Sequence, residues 1–139
     1  MNGLIGKKIG MTRIFDEEGR HIPVTVIEAG PCVVAQIKTP ESDGYEAVQL
    51  GFGPRKAVNT TKPLGGHYRR AGAEPRRILR EFVATADDEL ALGDAVDVSV
   101  FEGIEKVDVT GVTKGRGFSG RIKRWNQHRG PDGHGSKNV

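Results

Sequence analysis

A mainly β fold is predicted for residues 1–112, as a small barrel or sandwich. Two observations predict it. Short β-branched segments alternate side chains between two faces. Gly, Pro and acid-then-Gly clusters separate those segments at short intervals.

Each element has its own signal along the chain. Gly3 to Phe15 reads as a Gly-punctuated first strand. Asp16-Glu17-Glu18-Gly19 reads as a turn. His21 to Ala29 then places Ile22, Val24 and Val26 on one face and Pro23, Thr25 and Ile27 on the other. Gly30-Pro31 ends it, and Val33 to Lys38 forms a third strand. Thr39 to Gly44 is a polar turn, and Tyr45 to Leu50 a fourth strand. Strands resume at Ile78 to Thr85, with an acidic turn after them over Asp87 to Leu92. Ala95 to Phe101 puts Val96, Val98 and Val100 on one face, with Asp97 and Ser99 opposite. Lys106 to Thr110 is a last short strand, closed by Gly111.

A basic insertion interrupts the strands at about residues 53–80. From Gly51 to Arg80 there are eight Lys or Arg and one acid, Glu74. Lys62-Pro63 can start a short helix, which Gly65, Gly66 and Gly72 weaken.

Residues 113–139 form a second, different segment, an irregular Gly-rich basic extension. From Lys114 onward it holds seven Lys or Arg against one acid, Asp132, a formal charge of +6. The rest holds 14 basic and 17 acidic groups, so −3. The chain's net +3 therefore hides a basic arm on a slightly acidic body. With six Gly and few apolar residues, the arm cannot bury enough surface to offset its chain entropy. A polyanion is needed to order it, and nucleic acid is the first candidate.

Composition narrows the remaining classes. At 139 residues the chain is one domain's worth. The single Cys, Cys32, allows no internal disulfide, suits a reducing compartment, and has the apolar flanks of a buried small residue. No signal-peptide pattern and no membrane-length apolar run is present, so a soluble, cytoplasmic protein is expected.

The motifs point away from chemistry. Gly115 to Gly120 matches the G-x-G-x-x-G spacing of dinucleotide loops. The residues after Gly120 are interrupted by Gly-Pro and supply neither a second strand nor a well-placed acid. Glycines that let backbone approach phosphates, beside Lys114, Arg116 and Arg121, explain the run better. His128, Asp132 and His134 fit no standard zinc spacing, so no metal is expected. The acids cluster in turns, and Ser119 and Ser136 have no nucleophile context, so no catalytic residue, cofactor or small-molecule substrate is assigned. Arg121-Ile122-Lys123-Arg124-Trp125 instead sets an aromatic among cations, a pairing suited to bases and phosphates.

Three stretches carry a resemblance to a known family. They are GLIGKKIGMTRIF with DEEGR and HIPVTVIEA after it, KPLGGHYRRAG at 62–72, and VDVTGVTKGRGFSGRIKRWN at 107–126 with HRGPDGHGS after it. All three resemble the bacterial large-subunit ribosomal protein number three, in family order along the whole chain. The resemblance implies a six-stranded barrel of the translation-factor type. Leu90 to Val98 matches the L-x-x-G-D-x-V-x-V approach to a strand in such barrels. It also implies direct rRNA binding, a role early in subunit assembly, and an extension threading towards the peptidyl-transferase centre. The implied RNA-facing groups are Lys7, Lys8 and Arg13 near the start. In the insertion they are Arg55, Lys56, Lys62, His67, Arg69 and Arg70. In the arm they are Lys114, Arg116, Arg121, Lys123, Arg124, Trp125, Arg129, His134 and Lys137. Large-subunit proteins fourteen and nineteen are the implied neighbours. The family's C-terminal third, with the return leg of the extension and the last barrel strands, is expected to be lacking, which leaves barrel closure open. A ribosome-free RNA-binding regulator or nucleic-acid chaperone is the alternative that the same charges serve.

Overall fold

The computed structural model describes residues 3–83, 90–128, 130 and 132–135. The chain divides into two units, Met1–Ile104 and Glu105–Val139.

The first unit is built on strands. β1 (Gly6–Phe15) and β2 (His21–Ala29) pair antiparallel as a two-stranded sheet. Their turn is the one the acid-then-Gly run predicts. Asp16 Oδ1 accepts from the amides of Glu18 (3.0 Å) and Arg20 (2.7 Å), and Gly19 takes the left-handed φ of 77°.

The second sheet runs β5-β4-β3-β6, antiparallel throughout. Its strands are β3 (Cys32–Lys38), β4 (Ala47–Pro54), β5 (Arg76–Phe82) and β6 (Ala95–Val96). Alternation puts Cys32 and Val34 of β3, Val48, Leu50 and Phe52 of β4, and Val96 of β6 into one buried cluster with Ile5. Burial raises the pKa of the Cys32 thiol, as its apolar flanks imply.

Between these strands lie short helices. α1 (Pro40–Asp43) is one turn, with proline in its first turn and Gly44 as a left-handed cap, where a polar turn is expected. A 3₁₀ turn covers Ala57–Asn59. α2 (Lys62–Arg70) begins at the Lys62-Pro63 step and spans both glycines. It is held by Tyr68, which is buried and donates from its hydroxyl to the Arg76 carbonyl at 3.2 Å.

The mainly β expectation holds, with corrections. The strands of the described residues form two sheets and no closed barrel. β6 ends after two residues because the Asp97 carboxylate accepts from the Ser99 amide at 2.9 Å. That cap turns Val98–Phe101 into a 3₁₀ helix, so the alternation of Val96, Val98 and Val100 is lost. Residues 106–110, read as a last strand, are irregular. β4 and β5 extend into the expected basic insertion and shorten it. Residues 84–89, which hold much of the expected acidic turn, lie outside the described residues.

A polar network ties the sheet's other face. Lys38 Nζ lies 2.8 Å from Glu81 Oε1, the Tyr45 hydroxyl donates to Glu81 Oε2 at 2.7 Å, and Gln49 Nε2 donates to Oε1 at 3.2 Å. Hydrogen bonds from Lys38 first, and Tyr45 second, hold the Glu81 carboxyl down at about 2. A depressed carboxylate stabilises the fold above its unfolded value, about 4.3. That contribution is lost as pH falls through the folded value. The wild type should therefore exceed E81Q in stability near neutral pH, by at most about 1 kcal/mol for a part-exposed pair. The gap should close between about pH 4 and pH 2, measured as urea midpoints across pH. A gap independent of pH would show that Glu81's charge does not matter.

Candidate nucleic-acid interface

The expected basic groups fall into three local sets. The first lies on β1. Lys8 is opposite Ile27, and Arg13 is opposite Pro23. Residues 27 and 23 share a face of β2, so Lys8 and Arg13 share that face, while Lys7, opposite Glu28, lies on the other. Plain alternation would group Lys7 with Arg13. A bulge between Lys8 and Gly10 reverses it, and Gly10 inside the strand is the signal that could have found it.

The second set surrounds α2. Lys62, Gly65, Gly66 and Arg69 recur at helical spacing and line an open groove of about 760 Å³. Arg70 and His67 line a smaller groove of about 310 Å³, together with Asp43. His67, Arg69 and Arg70 occupy the last turn, where positive charge suits the helix dipole. Not all of the expected groups are free. The Arg55 guanidinium donates twice to the Asn59 carbonyl, at 3.0 and 2.6 Å, and so closes the 3₁₀ turn. His67 is part-buried, with Nε2 2.8 Å from Gln49 Oε1. Lys56 is exposed.

The third set is the arm. Every described residue from 105 onward is exposed, including Lys114, Arg116, Arg121, Lys123, Arg124 and His134. α3 (Arg121–Trp125) is a short helix, with Gly120 before it and Asn126 in the left-handed conformation after it. It gathers three cations and the Trp within five residues, and the Arg124 guanidinium lies 4.9 Å from the Trp125 ring centroid. Arg129 and Lys137 lie outside the described residues. Phe118, absent from the expected site, is fully exposed among the same cations. The signal that could have found it is a lone aromatic inside a glycine run, where no neighbour is available to bury it. Among the described residues no three His, Cys, Asp or Glu side chains gather as a metal site.

This distribution has relatives. The sequence pattern of the family described as ribosomal protein L3 matches residues 78–138, which include α3 and most of the arm. The large ribosomal subunit protein uL3 of Carboxydothermus hydrogenoformans is 56% identical over 135 residues. That match covers 97% of this chain and 65% of the relative's length. An identity this high along 97% of the chain, with the family's pattern matching residues 78–138, makes the chain a member of the ribosomal protein L3 family.

Proposed function

We propose that this chain is a structural component of the large ribosomal subunit that binds large-subunit rRNA directly. It acts early in assembly, and its arm runs into the RNA towards the peptidyl-transferase centre. In this reading the strand-built body sets position, and the arm neutralises phosphates where RNA helices converge. One observation carries most of the weight. Residues 109–131 contain no acid, and all of their described members are exposed. Cations held in solvent with no carboxylate among them suit a polyanionic partner. Lys8 with Arg13, and Lys62 with Arg69, add two further basic surfaces from the body. Large-subunit proteins fourteen and nineteen are the proposed protein neighbours, and the cytoplasmic ribosome is the proposed location. No chemical step is assigned to the protein.

Binding to transcribed large-subunit rRNA across a salt series tests the reading. About six phosphate contacts should give a log–log slope of roughly −4 to −5. A nearly flat response would remove the charge-driven account. Co-sedimentation adds the assignment to the subunit, since a component should travel with large subunits at near one copy each. Binding RNA while staying off the subunits would favour a free regulator or chaperone.

A further inference from the structure

Phosphate neutralisation explains the cations of the arm and leaves its aromatics unexplained. Phe118 has 106% relative exposure and Trp125 has 62%. Two large rings exposed seven residues apart, on a segment with no core to bury them, are open to a partner surface. The partner's chemistry is constrained by what stands beside them. Arg121, Lys123 and Arg124 lie between the two rings in sequence, and no acid occurs from Val109 to Pro131. A protein partner would have to bring an apolar patch set among carboxylates. A nucleic-acid strand brings flat π faces and phosphates together at every residue.

We infer that Phe118 and Trp125 are two stacking platforms for unpaired nucleobases, so the arm takes base-exposed, single-stranded RNA in preference to a paired helix. The inference rests on the RNA-binding reading above and specifies its ligand. Three features support it. The Arg124 guanidinium lies 4.9 Å from the Trp125 ring centroid, covering one face of the indole and leaving the other for a base. Phe118 is fully exposed, so a flat base has room along its ring. A paired A-form helix hides its base faces in the stack and offers only edges and backbone, which neither ring can use. Stacking is also tolerant of sequence, because every base has a π face.

Trp125 is the only tryptophan, so its fluorescence reports on its own contact. The full chain is titrated with oligoadenylate and with a perfectly paired RNA of equal length. Oligoadenylate should quench the emission and bind more tightly than the duplex, which should bind without quenching. F118L and W125L should each weaken oligoadenylate binding about ten-fold, measured by anisotropy of labelled RNA, with the salt slope unchanged. Equal binding of the two RNAs, or leucine variants that bind like the wild type, would overturn the stacking role while leaving the charge-based reading intact. Failure of both RNAs to bind would overturn both.

Discussion

Replacing Arg121, Lys123 and Arg124 together with alanine should weaken binding to large-subunit rRNA by about a hundred-fold at moderate salt. The three residues occupy one short helix, all are exposed, and the nearest acids in sequence are Asp108 and Asp132. Each phosphate contact releases condensed counter-ions and contributes about 0.7–0.9 to the magnitude of the salt slope. Losing three contacts should make the slope shallower by roughly two to three, which separates this variant from F118L and W125L. Thermal unfolding of the body should not move, because the buried cluster of Ile5, Cys32, Val34, Val48, Leu50, Phe52 and Val96 includes none of the three. Filter binding and a thermal melt on the same preparation give both readouts. An unchanged affinity and slope would place binding on the body, with Lys8, Arg13, Lys62 and Arg69 as the next residues to replace.

The parts of this fold legible in the residues are those where one physical signal acts alone. Val48 and Leu50 alternate into the core within the expected fourth strand, and the Asp16 to Gly19 turn forms as its composition demands. The arm's charge is legible because no fold can bury it. Illegible parts are those where a second interaction overrides the pattern. Val96, Val98 and Val100 alternate as well as any strand, but the Asp97 cap diverts the chain into a 3₁₀ turn. The expected fourth strand ends at Leu50, yet β4 runs on through Gly51 and Gly53. At Gly51 a Cβ would lie 2.9 Å from Arg76 Cγ, so this glycine admits the neighbouring strand rather than ending its own. Residues 106–110 alternate suitably but have no partner strand among the described residues, and alternation without pairing makes no sheet. In the candidate site, residue types were legible and geometry was not. Gly10 signals a bulge, but no sequence pattern fixes the register that puts Lys8 with Arg13, or ties Arg55 to Asn59.

Gly93→Ala should be strongly destabilising, costing about 3 kcal/mol. Gly93 has a φ of 88°, and a residue with a Cβ held there carries about 1–3 kcal/mol of backbone strain. The added methyl would also stand 2.8 Å from the Ala71 carbonyl oxygen, a backbone atom that cannot swing aside. Relief by moving the loop is blocked from the other direction. The Gly93 amide donates to the Val34 carbonyl at 2.9 Å, and the Val34 amide donates to the Asp94 carbonyl at 2.9 Å. Giving up those bonds would cost about 0.5–1.5 kcal/mol each. Val34 is fully buried at the centre of the sheet, so the strain cannot stay local. For a body of this size the melting temperature should fall by more than about 10 °C. Gly19→Ala is the matched control. Its φ of 77° imposes similar strain, but nothing lies within 4 Å of the added Cβ, so its melting temperature should fall by less than half as much. Equal losses in the two variants would mean that backbone conformation alone sets the cost and that the approach of Gly93 to Ala71 does not matter. A larger loss at Gly93 would identify that approach as the clamp holding the C-terminal end of α2, with Arg69 and Arg70, against the loop that leads into β6.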